Sequence, residues 1–180
     1  MNRSHVVVAA LFGGALVACS PLTFSHSTRM FADEVLQPIA AQQVEERIVQ
    51  ARALLAQINV AKEQLAAGQP LTPETQTTLN GIVGLVALTV ADPRGAELLR
   101  SFVDPKVKKP LAARKTAYQD VLAWLDSRRA PLQQELVRRL VGRTVQTDKR
   151  FLVCVDGAQR QYEAAEAGRY VRQADKPGTC

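Results

Sequence analysis

Between Ala41 and Leu65 the apolar side chains fall at Ala41, Val44, Ile48, Ala51, Leu55, Ile58 and Leu65, mostly in alternating steps of three and four. A strand would send neighbouring members of that series to opposite faces, whereas a helix collects them on one side. The seam is narrow and heptad-like, so it calls for another helix laid along it at a shallow angle. Lys62 interrupts the stripe, and Glu45, Glu46, Arg47, Arg52 and Glu63 fall off it, toward water. Pro38 suits the first turn of this helix, and Gly68-Gln69-Pro70 stops it.

The chain then restarts. Thr72-Pro73-Glu74 places a capping hydroxyl, a proline at the first helical position and an acid in the first turn. From Leu79 to Ala91 the residues are apolar nearly all round, broken by Asn80, Gly81, Gly84 and Thr89. This stretch reads as a buried central helix, too short to cross a bilayer. Asp92-Pro93 ends it and starts a short helix through Leu98, Leu99 and Phe102, which Asp104-Pro105 closes. A second long seam follows at Leu111, Lys115, Tyr118, Leu122, Leu125 and Arg129, broadened by Trp124. Pro131 marks a kink or a one-residue break before Leu132, Leu136 and Leu140, and Gly142 is the stop. The two long seams are expected to pack antiparallel, with the apolar helix 73 to 91 between them.

Beyond Gly142 the period changes to two. Arg150 to Val155 is β-rich, Asp156-Gly157 is a hairpin turn signal, and Gln159 to Ala164 returns with Tyr162 toward the core. Gly168 turns the chain into Tyr170-Val171-Arg172. The fold class is therefore mainly α: an antiparallel bundle of about four to five helices with a small C-terminal β-hairpin or meander. The bundle is assigned to residues 37–142 and the β-rich cap to 143–180.

The N-terminus has a different character. Arg3 precedes an apolar run from Val6 to Ala18, the layout of a secretory signal and too short for a mature membrane span. The run ends in Leu16-Val17-Ala18-Cys19, which resembles the lipobox of bacterial lipoproteins. The resemblance implies that residues 1–18 are removed and that Cys19 is diacylated on sulfur and becomes the new N-terminus. A third fatty chain, typically palmitate, would follow on its amine. Two or more chains anchor stably where one binds reversibly, because each buried methylene contributes roughly 0.8 kcal/mol. Ser20, where an Asp favours inner-membrane retention, implies passage to the outer membrane of a Gram-negative cell, facing the periplasm. Residues 19–36, with Ser20-Pro21-Leu22-Thr23 and Ser25-His26-Ser27, read as the lipidated cysteine and a tether. Phe31, Val35 and Leu36 form a short helical turn on the body.

Two cysteines remain, Cys154 and Cys180. Outside the cytoplasm such a pair is expected as a disulfide, closing a loop of about 26 residues and contributing roughly 3 kcal/mol. Two thiols without a nearby histidine make half a zinc site, so no metal or other cofactor is called for.

Residues for chemistry are scarce. The only histidine beyond Cys19 is His26, in the tether, a poor place for a catalytic base. The available acids, Glu45-Glu46, Asp120 with Asp126 and Glu163 with Glu166, fit solvated faces better than a cleft. Charge is more telling: from Lys106 to Arg150 the chain carries twelve Lys and Arg against four acids. Lys106, Lys108, Lys109, Arg114, Lys115, Arg128, Arg129, Arg138 and Arg139 form a candidate basic surface for an acidic partner, anionic lipid or lipopolysaccharide. The same residues also suit a solvated face, and nucleic acid is not a partner expected in the periplasm. Three functions follow in order. The first is a non-catalytic adaptor or assembly factor for a secretion, conjugation or pilus complex. The second is an inhibitor or immunity lipoprotein acting against a toxin or envelope enzyme, and the third a peptidoglycan- or lipid-acting hydrolase.

Overall fold

The computed structural model describes residues 26–70, 72–80, 85, 87–89, 91–104, 110–173, 175–178 and 180. The signal segment, Cys19, Gly81, Gly84 and Lys106, Lys108 and Lys109 lie outside the described residues.

The long seam forms a helix, and the helix begins earlier than its periodicity indicates. Helix α1 (His26–Phe31) runs through a π segment (Ala32–Leu36) into α2 (Gln37–Ala66). Phe31 and Leu36, at the two junctions, both keep helical dihedrals, so the path is continuous. Residues 26 to 36 are therefore helix rather than tether. The reason is burial: Phe31 and Leu36 are fully buried and Val35 nearly so. Each contributes roughly 1.5–3 kcal/mol by leaving water. The π segment widens one turn and brings Phe31, Val35 and Leu36 to the same core.

On α2 the buried positions are Ala40, Val44, Ile48, Ala51, Leu55, Ile58 and Ala61. Ala41 faces solvent and Ala40 takes its place, while the seam closes on Ala61 rather than passing to Leu65. Glu45, Glu46, Arg47, Arg52 and Glu63 are exposed, as their positions off the stripe require. Helix α3 (Pro73–Asn80) follows and packs on α2. Among the described residues of the stretch to Ala91, a 3₁₀ turn (Ala87–Thr89) exposes Ala87 while Leu85 and Leu88 are buried. Helix α4 (Pro93–Val103) then presents Leu99, Phe102 and Val103 to the core.

Helices α5 (Leu111–Ser127) and α6 (Arg129–Gly142) are separated by Arg128 alone, which resolves Pro131 as lying in the first turn of α6, after a one-residue break. Polar contacts give their direction. Gln133 meets Gln37, Arg129 meets Glu45, Asp126 meets Arg52, and Arg114 reaches the Lys62 carbonyl. As one number rises the other falls, so α5 and α6 run antiparallel along α2. They touch it directly, which corrects the expectation of a helix between the seams. The buried row on α5 coincides only in part with the seam read from the sequence: Leu125 belongs to both, and Tyr118 and Leu122 are half-buried against the core. Leu111 and Lys115 are exposed, while Val121 and Leu125 are fully buried, with Arg114 and Arg128 continuing their row.

After Gly142 come β1 (Thr144–Thr147), β2 (Arg150–Val155), β3 (Ala158–Ala164), β4 (Tyr170–Arg172) and β5 (Lys176–Pro177). The antiparallel order is β1-β2-β3-β4, with β5 pairing the other end of β3. Asp156 and Gly157 have φ of 52° and 76°, the left-handed pair a two-residue hairpin turn demands, and Val155 faces Ala158 across it. One face of the sheet carries Phe151, Val153, Val155 and Tyr162 onto Phe31, Leu36, Ala40 and Leu140. Phe31 stacks on Phe151 at 4.3 Å and meets the Tyr162 and Tyr170 rings edge-on. The molecule is thus mainly helical, with three long helices and a small C-terminal antiparallel sheet.

Candidate functional site

Six of the nine basic positions, Arg114, Lys115, Arg128, Arg129, Arg138 and Arg139, fall within the described residues. Among these, Arg128 is 9% exposed, its Nε donating to the Leu88 carbonyl at 3.0 Å with Asp92 alongside at 3.5 Å. Arg129 bonds Glu45 and Asp126, and Arg138 and Arg139 both bond Glu135. Arg114 is half-buried and donates to the Lys62 carbonyl, leaving Lys115 exposed. Most of this charge is therefore matched by acids of the same chain. The pairs of Arg129 with Asp126 and of Arg138 and Arg139 with Glu135 are three or four residues apart, whereas Arg129–Glu45 and Arg128–Asp92 join residues tens of positions apart, which no local pattern shows.

The acids respond to the same contacts. Hydrogen bonds from Arg129 hold the Glu45 carboxyl below its ordinary range, and those from Arg52 and then Arg129 do so for Asp126. Glu135 is lowered by Arg139, and Glu163 pairs with Arg150 at 2.8 Å. A general acid in glycoside hydrolysis needs the opposite shift, a raised value kept by burial. Each of these carboxylates pairs with an arginine at the surface. Among the described residues no group of three or more His, Cys, Asp or Glu could hold a metal ion.

A polar node that the apolar pattern does not reveal lies where α4 begins. Asp92 caps the helix by accepting from the Gly95 amide at 2.9 Å, and its second oxygen accepts from Trp124 Nε1 at 2.7 Å. Those bonds, the backbone one first, lower the Asp92 pKa, with Arg128 adding to the effect. The Asp-Pro-x-Gly sequence at 92–95 was the available signal for the cap. Nothing local indicated that the single tryptophan would reach it. Beside the node an open cleft of about 350 Å³ is lined by Ala91, Arg128, Pro131, Leu132, Gln134, Glu135 and Arg138. Its arginines face Glu135 and Asp92, so it offers a charge-balanced surface rather than an anion hole.

Lys62, which interrupts the α2 stripe, has a partner of its own. Its ammonium bonds the Phe102 carbonyl and the Asp104 carbonyl at the C-terminus of α4, and lies 5.4 Å from the Phe102 ring centroid. A cation there meets the negative end of the helix.

Cys154 and Cys180 are joined as a disulfide, with Cα atoms 5.9 Å apart. Cys154 lies opposite Gln159, which also pairs with Lys176 of β5, so the covalent link and the last strand hold the same corner of the sheet. No helix among the described residues is long and apolar enough to cross a membrane. No protein-family model matches the chain, and no curated protein or solved structure shows significant similarity to it.

Proposed function

We propose that this chain is a lipid-anchored protein of the Gram-negative outer membrane. Its periplasmic body acts without catalysis, as an adaptor or assembly factor in an envelope complex of the secretion, conjugation or pilus kind. The observation that carries the reading is Leu16-Val17-Ala18-Cys19 at the end of a short apolar run. Acylation of Cys19 would fix the protein at the bilayer. Two features of the body are consistent with binding. Helices α5 and α6 run antiparallel along α2, and of the acids considered for chemistry Glu45, Asp126 and Glu163 are held in ion pairs. On this reading the helical part is an antiparallel bundle of about four to five helices, α3 and α4 being laid on the α2, α5 and α6 framework.

The test is affinity capture of the full-length lipidated protein from envelopes solubilised in mild detergent. A stoichiometric envelope partner, whose assembly fails when this chain is deleted, is the expected result. Recovery of the protein alone, with every envelope complex intact after deletion, would overturn the adaptor reading.

A further inference from the structure

We infer that the end of the molecule carrying the β1–β2 and β3–β4 turns faces the bilayer, while the C-terminal end of α2 points away from it. This inference rests on the acylation of Cys19 proposed above.

Its first support is the way Ser27 and Thr28 are held. Ser27 is already fixed, its carbonyl accepting from the Tyr170 hydroxyl at 3.1 Å and its hydroxyl accepting from Gln146 Nε2 at 3.0 Å. Thr28 donates to Gln146 Oε1 at 3.0 Å, and Phe31 lies in the aromatic cluster of the sheet. Gln146 and Tyr170 both adjoin turns at one end of the sheet. There the Ala164 amide donates to the Lys149 carbonyl, and the Ala165 amide to the Arg169 carbonyl. The other end of the sheet is placed by Gln43, in the second turn of α2, which bonds Asp156 at 2.6 Å in the hairpin turn. The sheet therefore lies lengthwise along the start of the helix, and the chain enters at the end bearing residues 148–149 and 165–169.

The second support is reach. Residues 20–25 separate Cys19 from His26, and seven residue steps span at most about 25 Å even when fully extended. The helix from His26 to Ala66 extends about 60 Å at the usual rise. The entry end is therefore confined near the lipid, and the opposite end is held off unless the rod lies flat.

Charge supplies the third support. A rod lying flat needs a face drawn to the membrane, yet Arg52, Arg128, Arg129, Arg138 and Arg139 along its flank each engage an acid of the same chain. At the entry end, the exposed Arg29, Lys149 and Arg169 sit with Asp148 and Glu166, so little net charge draws that end to anionic lipid either. The short tether, not attraction, sets the orientation.

A photo-crosslinking amino acid at position 149, 166, 49 or 69 of the full-length protein tests this in vesicles of phosphatidylethanolamine and phosphatidylglycerol. Intact mass is recorded on the same samples. Lipid adducts are expected from 149 and 166 and not from 49 or 69. Inserting a long Gly-Ser spacer after Ser20 should abolish the adducts at 149 and 166 while leaving the acyl mass unchanged. Adducts at 69 or 49 on acylated protein would overturn the orientation alone. Adducts at 149 and 166 that survive the spacer would overturn the role of the tether. Protein without acyl chains would remove the anchor reading, and this inference with it.

Discussion

Trp124 Nε1 lies 2.7 Å from Asp92 Oδ2 and fills the space that a Cβ on Gly95 would need. A side chain added at Gly95 would place its first carbon 2.0 Å from that nitrogen and 2.6 Å from the carboxylate. Gly95 is helical, and Gly→Ala in a helix ordinarily gains up to about 1 kcal/mol. Here the sign reverses. Gly95→Ala should destabilise the protein by about 1–3 kcal/mol through overpacking, seen as a lower urea midpoint with an unchanged slope. An alanine variant as stable as the parent would show that Trp124 does not occupy this position.

The same node belongs to a wider acid response. Asp92, Glu45, Asp126, Glu135 and Asp175 all have pKa values lowered in the folded protein, each mainly by hydrogen bonds from neighbouring groups. The unfolded chain therefore binds more protons than the folded one as these groups titrate. Their stabilisation is complete above the unfolded carboxylate values near pH 4 and is lost as pH falls through the folded ones. The thermal midpoint should hold between about pH 7 and pH 5 and decline below about pH 4. Asp92→Asn and Asp126→Asn should each flatten that decline, whereas a midpoint rising into acid would contradict the ion-pair assignments.

Lys62 is a position where an apolar replacement looks favourable from periodicity alone. It instead bonds carbonyl oxygens at the end of α4. Lys62→Leu should therefore lower stability, by about 1 kcal/mol, and amide exchange should quicken at the last turn of α4. A more stable leucine variant would show that the seam, not the helix end, governs this site.

Much of the fold was legible because it follows from local pattern. Val44, Ile48, Ala51, Leu55 and Ile58 are buried as their spacing requires, and Asp156-Gly157 makes the turn its two residues favour. Cys154 and Cys180 pair as their number and compartment suggested. What escaped depends on distant partners. Ser27 and Thr28 resemble linker residues until Gln146 and Tyr170 are brought to them. Strand β1 has a polar sequence, Thr-Val-Gln-Thr, and owes its place to pairing with β2. Arg114 and Arg128 lie on the buried row of α5 because their charged ends reach a backbone carbonyl and Asp92, which hydropathy cannot register. Of the basic segment's described residues, Arg128, Arg129, Arg138 and Arg139 meet acids of the same chain.

Phe31 joins the helices to the sheet through three aromatic neighbours. Phe31→Ala should cost about 3–5 kcal/mol and loosen the sheet ahead of the distal helices. Near-ultraviolet circular dichroism and amide exchange in β2 would report it. Equal loosening at both ends would show that the two cores melt as one unit.

The disulfide closes 26 residues, and its removal by Cys180→Ser should cost about 3 kcal/mol in the chain-entropy picture. The local effect should be fraying of β5, read as faster exchange at Gln159, which pairs with Lys176. Unchanged exchange there would mean that strand pairing alone holds the last residues.

Intact mass of the protein extracted from membranes, with and without reductant, tests the central claim most directly. The expected species comprises residues 19–180 carrying acyl chains, heavier by two hydrogens after reduction of Cys154–Cys180. An unacylated protein recovered from the soluble fraction would contradict membrane anchoring and remove the main support for an envelope adaptor.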